Sequence, residues 1–357
     1  MCTTFKLQNS EKITLAQGYD FYYGHGLVIV NKRGIKKVAL CDSLTKQNLY
    51  DDSLKTPRWI SKYGSITFNQ FAREIPTCGM NEAGLAIASM WHDTEDYNKS
   101  KADNSITELQ WIQYQLDCYT TVNEVIDNLS ELSVKVEMYP MHYNICDRKG
   151  NNAIIEFKNG KLYAYHSFEN YACSNAGIED SIKHAQKHQG IDSKDISIDE
   201  PILDRASKAF HMTKEFNDSK DSKDAISNSF NILDAVSLQV GFKALFKWIG
   251  KRIPPSQTFW QIVFDLSESK IHFKTKGNRR IRSINISEFD YSNKSDVKVL
   301  DIEGDFESDI TKMFHSYKRS DNDRIVKKTF KPMKDEVPES EQEELIDFPE
   351  FLKPVSI

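Results

Sequence analysis

The chain has 357 residues, of which 39% are hydrophobic and 28% charged, and this is enough to bury a large core in one domain with appendages. The net charge of −5, with acids interspersed among the Lys and Arg residues, argues against a nucleic-acid partner. The longest apolar runs fall far short of the roughly 20 residues that cross a bilayer, and the first residues do not resemble a secretory signal. We therefore expect a cytoplasmic protein with no membrane partner.

Short runs of β-forming residues dominate the first ninety positions. They are TTFKL, ITLAQGYDF, LVIV, KKVAL, SITFNQF and GLAIASMW, and the NKRG segment between the third and the fourth predicts a hairpin turn with Gly34 at its permissive position. Apolar residues then recur at helical spacing from Ile106 to Tyr119 and from Val122 to Leu132. This spacing predicts two amphipathic helices after the strands.

Strand patterns return in the middle of the chain. HYNICD, NAIIEF and KLYAYH, joined by turn-forming residues, predict a meander. Helical patterns cover about 202–213 and 230–249, and TFWQIVFDL and KIHFKT predict a final hairpin. The alternation favours an α+β fold of layered sheets with helices outside.

The composition changes at Lys331. Eight acids and no base lie between Asp335 and Glu350, which is typical of a mobile or surface-docked tail, although the FPEFL segment could pack somewhere. We therefore divide the chain into a domain of residues 2–330 and an acidic tail of residues 331–357.

Six cysteines, at positions 2, 41, 78, 118, 146 and 173, are scattered along the chain without CxxC pairs or short metal-ligand spacing. We expect reduced thiols, without a disulfide scaffold or a metal site.

The cysteine at position 2 has two interpretations. A single cysteine near a terminus ordinarily has no special role. If Met1 is removed, however, Cys2 carries a thiol and a free α-amine on one residue. An α-amine with a pKa of about 7.7 to 8.0 is partly neutral near pH 7 and can take the thiol proton without a histidine.

Other segments favour the second interpretation. MCTTF, GYDFYYGHGLVIVNKRG, WISKYGSITFNQFAREIPTCGMNEAGLAI, HYNICDRKGNNAIIEF, CSNAGIEDS and ILDRA together resemble the choloylglycine hydrolase family, which includes penicillin V acylases and bile salt hydrolases. The resemblance is to its linear amide carbon-nitrogen hydrolase branch and covers roughly residues 2 to 290. It implies the N-terminal-nucleophile hydrolase fold, a four-layer αββα sandwich of two antiparallel sheets flanked by helices.

The resemblance also implies roles for five residues. Cys2 would attack the amide carbonyl and form a thioester. Asp20 would hold the α-amine and tune its basicity, and Arg205 would favour the thiolate. Asn81 and Asn175 would donate hydrogen bonds to the oxyanion of the tetrahedral intermediate.

Three further residues are candidates for substrate binding. Gln17 stands where many family members have an arginine, so the charge beside the nucleophile is reduced and activity toward typical family substrates is in question. Trp91 and Tyr97 would line an acyl pocket. The resemblance implies a small-molecule N-acyl amide as substrate, no cofactor, and a homotetramer.

We considered two alternative functions, a ligand-binding protein and a glutamine amidotransferase. Gln17 is compatible with a catalytically weak family member that acts as a ligand-binding protein, although the other five residues count against it. A glutamine amidotransferase is disfavoured because no glycine follows Cys2 and no second catalytic domain is recognisable. The sequence leaves the acyl and amine groups of the substrate open.

Overall fold

The computed structural model describes residues 2–40, 55–92, 94–97, 104–166, 172–218, 224–239, 255–333 and 337–355. Its strands are β1 (Thr3–Gln8), β2 (Ile13–Phe21), β3 (Leu27–Asn31), β4 (Ile35–Val38), β5 (Arg58–Ile60), β6 (Ser65–Asn69), β7 (Cys78–Asn81), β8 (Ala86–Trp91), β9 (Ser105–Thr107), β10 (Ser133–Lys135), β11 (Met141–Cys146), β12 (Asn152–Lys158), β13 (Lys161–His166), β14 (Ala172–Cys173), β15 (Gln257–Asp265), β16 (Lys270–Thr275), β17 (Arg282–Asn285), β18 (Lys298–Asp301), β19 (Ser308–Asp309), β20 (His315–Ser316) and β21 (Lys353–Pro354). Its α-helices are α1 (Glu108–Cys118), α2 (Val122–Asp127), α3 (Ile178–Lys187), α4 (Pro201–Asp218), α5 (Ala225–Ala235), α6 (Arg319–Phe330) and α7 (Glu339–Asp347).

Two large sheets contain most of these strands. One has the order β14-β1-β2-β15-β16-β17-β19, and the other has the order β13-β12-β11-β8-β7-β6-β3-β18-β20. Strand pairs are antiparallel in both, except that β17 runs parallel to β19. Two small sheets pair β9 with β10 and place β4 between β21 and β5.

The apolar residues explain why the sheets stack. Successive residues of a strand point to opposite faces, so on β15 Ile262 and Phe264 enter the core between the two sheets while Val263 faces α4 and α5. The outer face of the nine-stranded sheet packs in the same way against α1 and α2. The result is the four-layer αββα sandwich of an α+β protein, and the predicted fold class is confirmed.

The local predictions have mixed outcomes. The β11-β12-β13 meander and the β15-β16 hairpin are confirmed. The NKRG hairpin is wrong, because β3 pairs with β6 and β18 whereas β4 belongs to a different sheet. Gly34 does have a φ of 71°, but its turn directs the chain away from β3. The helix expected over 230–249 starts earlier and ends at Ala235, and residues 240–249 lie outside the described residues.

The acidic tail is docked along the part that the structure describes. Helix α7 follows Pro338, and a 3₁₀ turn at Phe348–Phe351 leads into β21, which pairs with β4. Ile346 and Phe348 are buried. Arg319 of α6 bridges the carboxylates of Glu343 and Asp347, so the tail's acids find partners on the domain.

Five cysteines fall within the described residues, and each of them is buried with a free thiol; Cys41 lies outside that range. Among the described helices, none combines the length and apolarity needed to span a bilayer.

Candidate active site

Cys2 lies at the entrance to β1, in the core between the two sheets. It is 5% exposed, and its Sγ is 3.8 Å from the backbone oxygen of Asp20. Thr3 pairs with Gly18 in the antiparallel β1–β2 ladder. Cys2, which precedes Thr3, therefore lies beside Tyr19 near the end of β2. Burial raises the pKa of the Cys2 thiol above its ordinary value of 9.0, so the thiol needs a base to become a nucleophile.

Asn175 contacts the nitrogen of that same residue. It follows β14, which pairs with β1 through Cys173 and Thr4 and so brings the segment to the start of the chain. Its Oδ1 accepts a hydrogen bond from the Cys2 nitrogen at 2.7 Å, and its Nδ2 donates to the backbone oxygen of Trp91. The side-chain amide therefore links the nucleophile to the end of β8.

Asp20 and Arg205 form a buried ion pair behind the nucleophile. Arg205 Nη1 is 2.7 Å from Asp20 Oδ2, and both side chains are at most 1% exposed. Arg205 Nε donates to the Val236 oxygen at 2.6 Å, and Thr258 Oγ1 donates to Asp20 Oδ1. Burial raises the pKa of Asp20, and the Arg205 guanidinium opposes that rise. Arg205 of helix α4 thus fixes the side chain of Asp20, and the backbone oxygen of the same residue faces the thiol.

A cavity of about 300 Å³ opens onto Cys2 and Asn175. Six of its fourteen described lining residues are aromatic: Tyr19, Phe21, Tyr22, Phe71, Trp91 and Tyr139. Trp91 is thus a lining residue of this cavity, and its contact with an acyl group stays a prediction. Tyr97 is not among the described lining residues and packs instead in the cluster beneath α1. None of the described lining residues is Lys, Arg or His, and the acid among them, Asp20, is paired with Arg205, so the cavity suits an apolar group.

Asn81 lies outside this cavity, which corrects its assignment as an oxyanion donor. Its Nδ2 donates to the backbone oxygens of Leu116 and Tyr119 at 2.9 and 2.7 Å. Its Oδ1 accepts from the Ala83 and Leu85 nitrogens in the turn between β7 and β8. All hydrogen-bonding capacity of the amide is used, and Asn81 fastens this turn to the end of α1.

Gln17 is fully buried between the two sheets. Its Nε2 donates to the backbone oxygen of Ser89 at 2.6 Å, which joins β2 to β8. Ser89 lines the cavity but Gln17 does not. Gln17 pairs with Thr4, so its side chain is on the same face of the sheet as Cys2, one step away.

Two groups in the described part of the chain have metal-ligating atoms within 4.8 Å of one another: His92, His142 and Glu156, and His184, His188 and Asp204. In the first, both ring nitrogens of His142 are hydrogen-bonded. In the second, His184 Nε2 is 2.6 Å from Asp204 Oδ1. Hydrogen bonding accounts for both groups, so we assign neither to a metal.

Most of the aromatic lining was missed by sequence reasoning. Phe21 and Tyr22 follow Asp20 directly in GYDFYY, so proximity to a site motif was a usable signal. Phe71 and Tyr139 come from distant segments, and only the sandwich brings them to the cavity.

Comparison with known proteins agrees with this geometry. Residues 2–198 match the model of the linear amide C-N hydrolases, choloylglycine hydrolase family, and this is more than half of the chain. The chain belongs to this family. Among the sequence-predicted site residues, Arg205 lies beyond the matched range, and its place at the site rests on the pair with Asp20.

Relatives of this choloylglycine hydrolase family member are similar to different extents. Penicillin V acylase from Pectobacterium atrosepticum is 33% identical over 129 residues, which are 32% of this chain and 34% of the acylase. The chain thus matches about a third of that relative's length.

Two solved structures share the fold across nearly their whole length. Penicillin V acylase from Agrobacterium tumefaciens has a TM-score of 0.72 at 21% identity, over 89% of this chain and 98% of the acylase. A variant of conjugated bile acid hydrolase from Clostridium perfringens has a TM-score of 0.70 at 15% identity, over 86% of this chain and 98% of the hydrolase. At these identities the likeness concerns the fold.

Proposed function

We propose that this protein hydrolyses linear amides that carry an apolar, preferably aromatic, acyl group, with Cys2 as nucleophile. The observation that carries the proposal is the position of Cys2: its thiol borders an aromatic cavity, and its own nitrogen is held by Asn175. Family membership supports the same reaction class.

The chemistry follows from these positions once Met1 has been removed. The neutral α-amine of Cys2 takes the thiol proton, and Sγ attacks the carbonyl carbon of the amide. The carbon-nitrogen bond breaks as the α-ammonium returns the proton to the leaving nitrogen, which departs as a free amine. Water then adds to the thioester, the carbon-sulfur bond breaks, and the acid and the free thiol are released.

The surrounding residues each support one part of this sequence. Asn175 orients the α-amine through Oδ1, and the remaining N–H of its Nδ2 is the proposed donor to the oxyanion. Arg205 and Asp20 form a buried pair that positions the end of β2 beside the thiol and supplies a fixed electrostatic environment. In this scheme Asn81 has no chemical step.

The cavity suggests which relatives' substrates to try first. Six aromatic side chains favour a phenyl-containing acyl group, so penicillin V, with its phenoxyacetyl group, is the first probe. A glycine-conjugated bile acid is the matched comparison, because its acyl group is an apolar steroid without an aromatic ring. We expect faster hydrolysis of penicillin V.

The test combines turnover with intact mass. Wild-type protein should release amine from penicillin V and show a mass increase of one acyl group on the N-terminal peptide. Cys2→Ala should lose both signals, whereas Cys146→Ala, which removes another buried thiol away from the cavity, should retain both. Binding of penicillin V without turnover or acylation would favour the ligand-binding alternative and overturn the proposal.

Two further predictions are proposals of different origin: the first comes from the short apolar runs of the sequence and the second from the family resemblance. They are a cytoplasmic location and a homotetrameric assembly, and sedimentation of the purified protein tests the second.

A further inference from the structure

A buried histidine and a buried glutamate hold both ends of the segment that carries Asn175. His142 of β11 and Glu156 of β12 are neighbours, with His142 Nδ1 3.0 Å from Glu156 Oε1. His142 Nε2 is 2.6 Å from the backbone oxygen of Ser174, and the Ile178 nitrogen donates to Glu156 Oε1 at 2.8 Å. Ser174 directly precedes Asn175, and Ile178 begins α3.

Two of these three hydrogen bonds therefore depend on the protonation of the His142 imidazole. The Ser174 carbonyl and the Glu156 carboxylate can only accept, so both His142 nitrogens must donate. A neutral imidazole has one N–H and one lone pair and satisfies one of these acceptors. A doubly protonated His142 satisfies both, and the buried glutamate balances its charge.

The other groups around His142 are compatible with this state. Cys173 of β14 places Sγ 3.8 Å from Nδ1, and the ring of His92 stacks on that of His142 with centroids 4.7 Å apart. Burial opposes the charge on His142, but Cys173 and Glu156 outweigh burial and raise its pKa to about 10.

We propose that His142 and Glu156 are positioning residues for Asn175, because their ion pair fixes the segment from Ser174 to Ile178 and thereby holds the Asn175 amide against the Cys2 nitrogen. Neither side chain lines the cavity, so neither touches the substrate. This inference rests on the proposed function insofar as Asn175 acts at the reacting carbonyl.

The decisive variant is Glu156→Gln, which keeps the shape of the side chain and removes its charge. With a neutral His142, no arrangement of the glutamine amide satisfies Ser174, Ile178 and both ring nitrogens together. We expect kcat at pH 7.5 to fall by about 10- to 100-fold, because small displacements of an oriented group have effects of that size. KM should stay within about 3-fold, since the aromatic walls of the cavity are untouched.

The pH profile separates positioning from simple damage. Protonation of His142 restores all three hydrogen bonds even with glutamine at position 156, so the deficit should shrink as the pH falls. Asp117→Asn is the control: it removes another buried carboxylate, bonded to Lys37 and Trp59, that does not line the cavity. It should lower the melting temperature without a change in kcat or its pH profile.

Two readouts do not depend on activity. In ¹⁵N-histidine NMR spectra of the wild-type protein, His142 should show two protonated nitrogens between pH 6 and 8, and Glu156→Gln should lose one. Hydrogen exchange at the Ile178 nitrogen should be faster in Glu156→Gln. A neutral His142 in the wild-type protein, or wild-type kcat in Glu156→Gln at every pH, overturns the inference. Absence of amide turnover and acylation in the wild-type protein instead overturns the proposed function, and the NMR and exchange results still decide whether the ion pair fixes the segment.

Discussion

Arg205 shows how much the site depends on a single buried charge. Its guanidinium is the cationic partner of Asp20 at 2.7 Å, and both side chains are shielded from water. A buried pair adds little net stability, because desolvation offsets the attraction, but removal of one partner leaves the other charge uncompensated. A single substitution of Arg205 therefore measures the free-energy cost of leaving Asp20 buried without its partner, and not the net stability that the pair contributes.

We expect Arg205→Gln to lower the free energy of unfolding by about 3–5 kcal/mol, since Asp20 then stays buried without its partner. The double variant Arg205→Gln with Asp20→Asn should recover part of that loss but not the amide hydrolysis. Urea denaturation of the wild type, of the single variants Arg205→Gln and Asp20→Asn, and of the double variant provides the thermodynamic cycle. A single variant as stable as wild type would show that water reaches Asp20.

His142 predicts a pH dependence of stability. Its pKa is about 10 in the folded protein and about 6.5 when unfolded, so the folded state binds the extra proton. The resulting stabilisation is complete below pH 6.5 and is lost as the pH rises toward 10.

Urea denaturation at intervals from pH 6 to 10 measures this loss. His142→Gln should remove this component of the slope, and an identical slope in the variant would contradict the raised pKa. His25 is a comparison of opposite sign, since burial lowers its pKa to about 4 and it stays neutral throughout this range.

At the scale of elements, the β2–β8 contact decides what position 17 can do. The side chain of Gln17 on β2 and the thiol of Cys2 before β1 lie on the same face of the sheet. Gln17 also donates a hydrogen bond to the backbone oxygen of Ser89 on β8. The sequence-based hypothesis that this position tunes the charge near the nucleophile stays a prediction, because Gln17 does not itself line the cavity.

Gln17→Arg should make Cys2 more reactive at lower pH, because a guanidinium on the same face favours the thiolate. It should also raise turnover of a carboxylate-bearing amide relative to a neutral one. Burial of the new charge should lower the free energy of unfolding by about 1–3 kcal/mol. The pH dependence of iodoacetamide alkylation at Cys2 measures the first effect, and an unshifted profile in a folded variant would end the hypothesis. Gln17→Met, which fills a similar volume without charge, is the control.

The elements also show where sequence reasoning succeeds. The meander and the last hairpin could be predicted because tight turns join strands that are neighbours in the sheet. The pairing of β2 with β15 could not, since no local pattern specifies a partner more than two hundred residues away. NKRG failed for a related reason: a turn signal shows that the chain changes direction, but not which sheet it enters.

The same limit applies to the candidate site. Cys2, Asp20, Asn175 and Arg205 could be chosen from the resemblance. The first three line one cavity, and Arg205 pairs with Asp20 behind it. Asn81 was chosen from GMNE on the same grounds. An asparagine that fastens a turn to a helix end through four backbone groups, however, has the same sequence signature as one that faces an oxyanion. Only the count of its hydrogen bonds separates the two roles.

At the scale of the whole molecule, the acidic tail joins the domain rather than the cavity. Its buried Ile346 and Phe348, and the pairing of β21 with β4, are contacts with the domain, whereas none of the described tail residues lines the cavity. A tail with these contacts is a stability element.

A chain truncated after Lys331 should therefore keep its kcat and lose stability. Each large apolar side chain removed from a buried position accounts for about 1.5–3 kcal/mol. Phe348→Ala in the full-length protein should reproduce part of the loss. Kinetic constants and melting temperatures of the three proteins test this, and a fall in kcat at unchanged oligomeric state would assign the tail to the site.

The pairing of β2 with β15 also bears on when Met1 can be removed during synthesis and folding. Strand β2 has no partner on that edge until residues 257–265 have been synthesised, so the seven-stranded sheet closes late in translation. Ribosomes add roughly 5–20 residues per second, which leaves the first residues outside a folded core for on the order of ten seconds or more. In the finished fold the Cys2 nitrogen is bonded to Asn175, and Cys2 is 5% exposed. We therefore expect Met1 to be removed from the nascent chain, before Asn175 binds the Cys2 nitrogen.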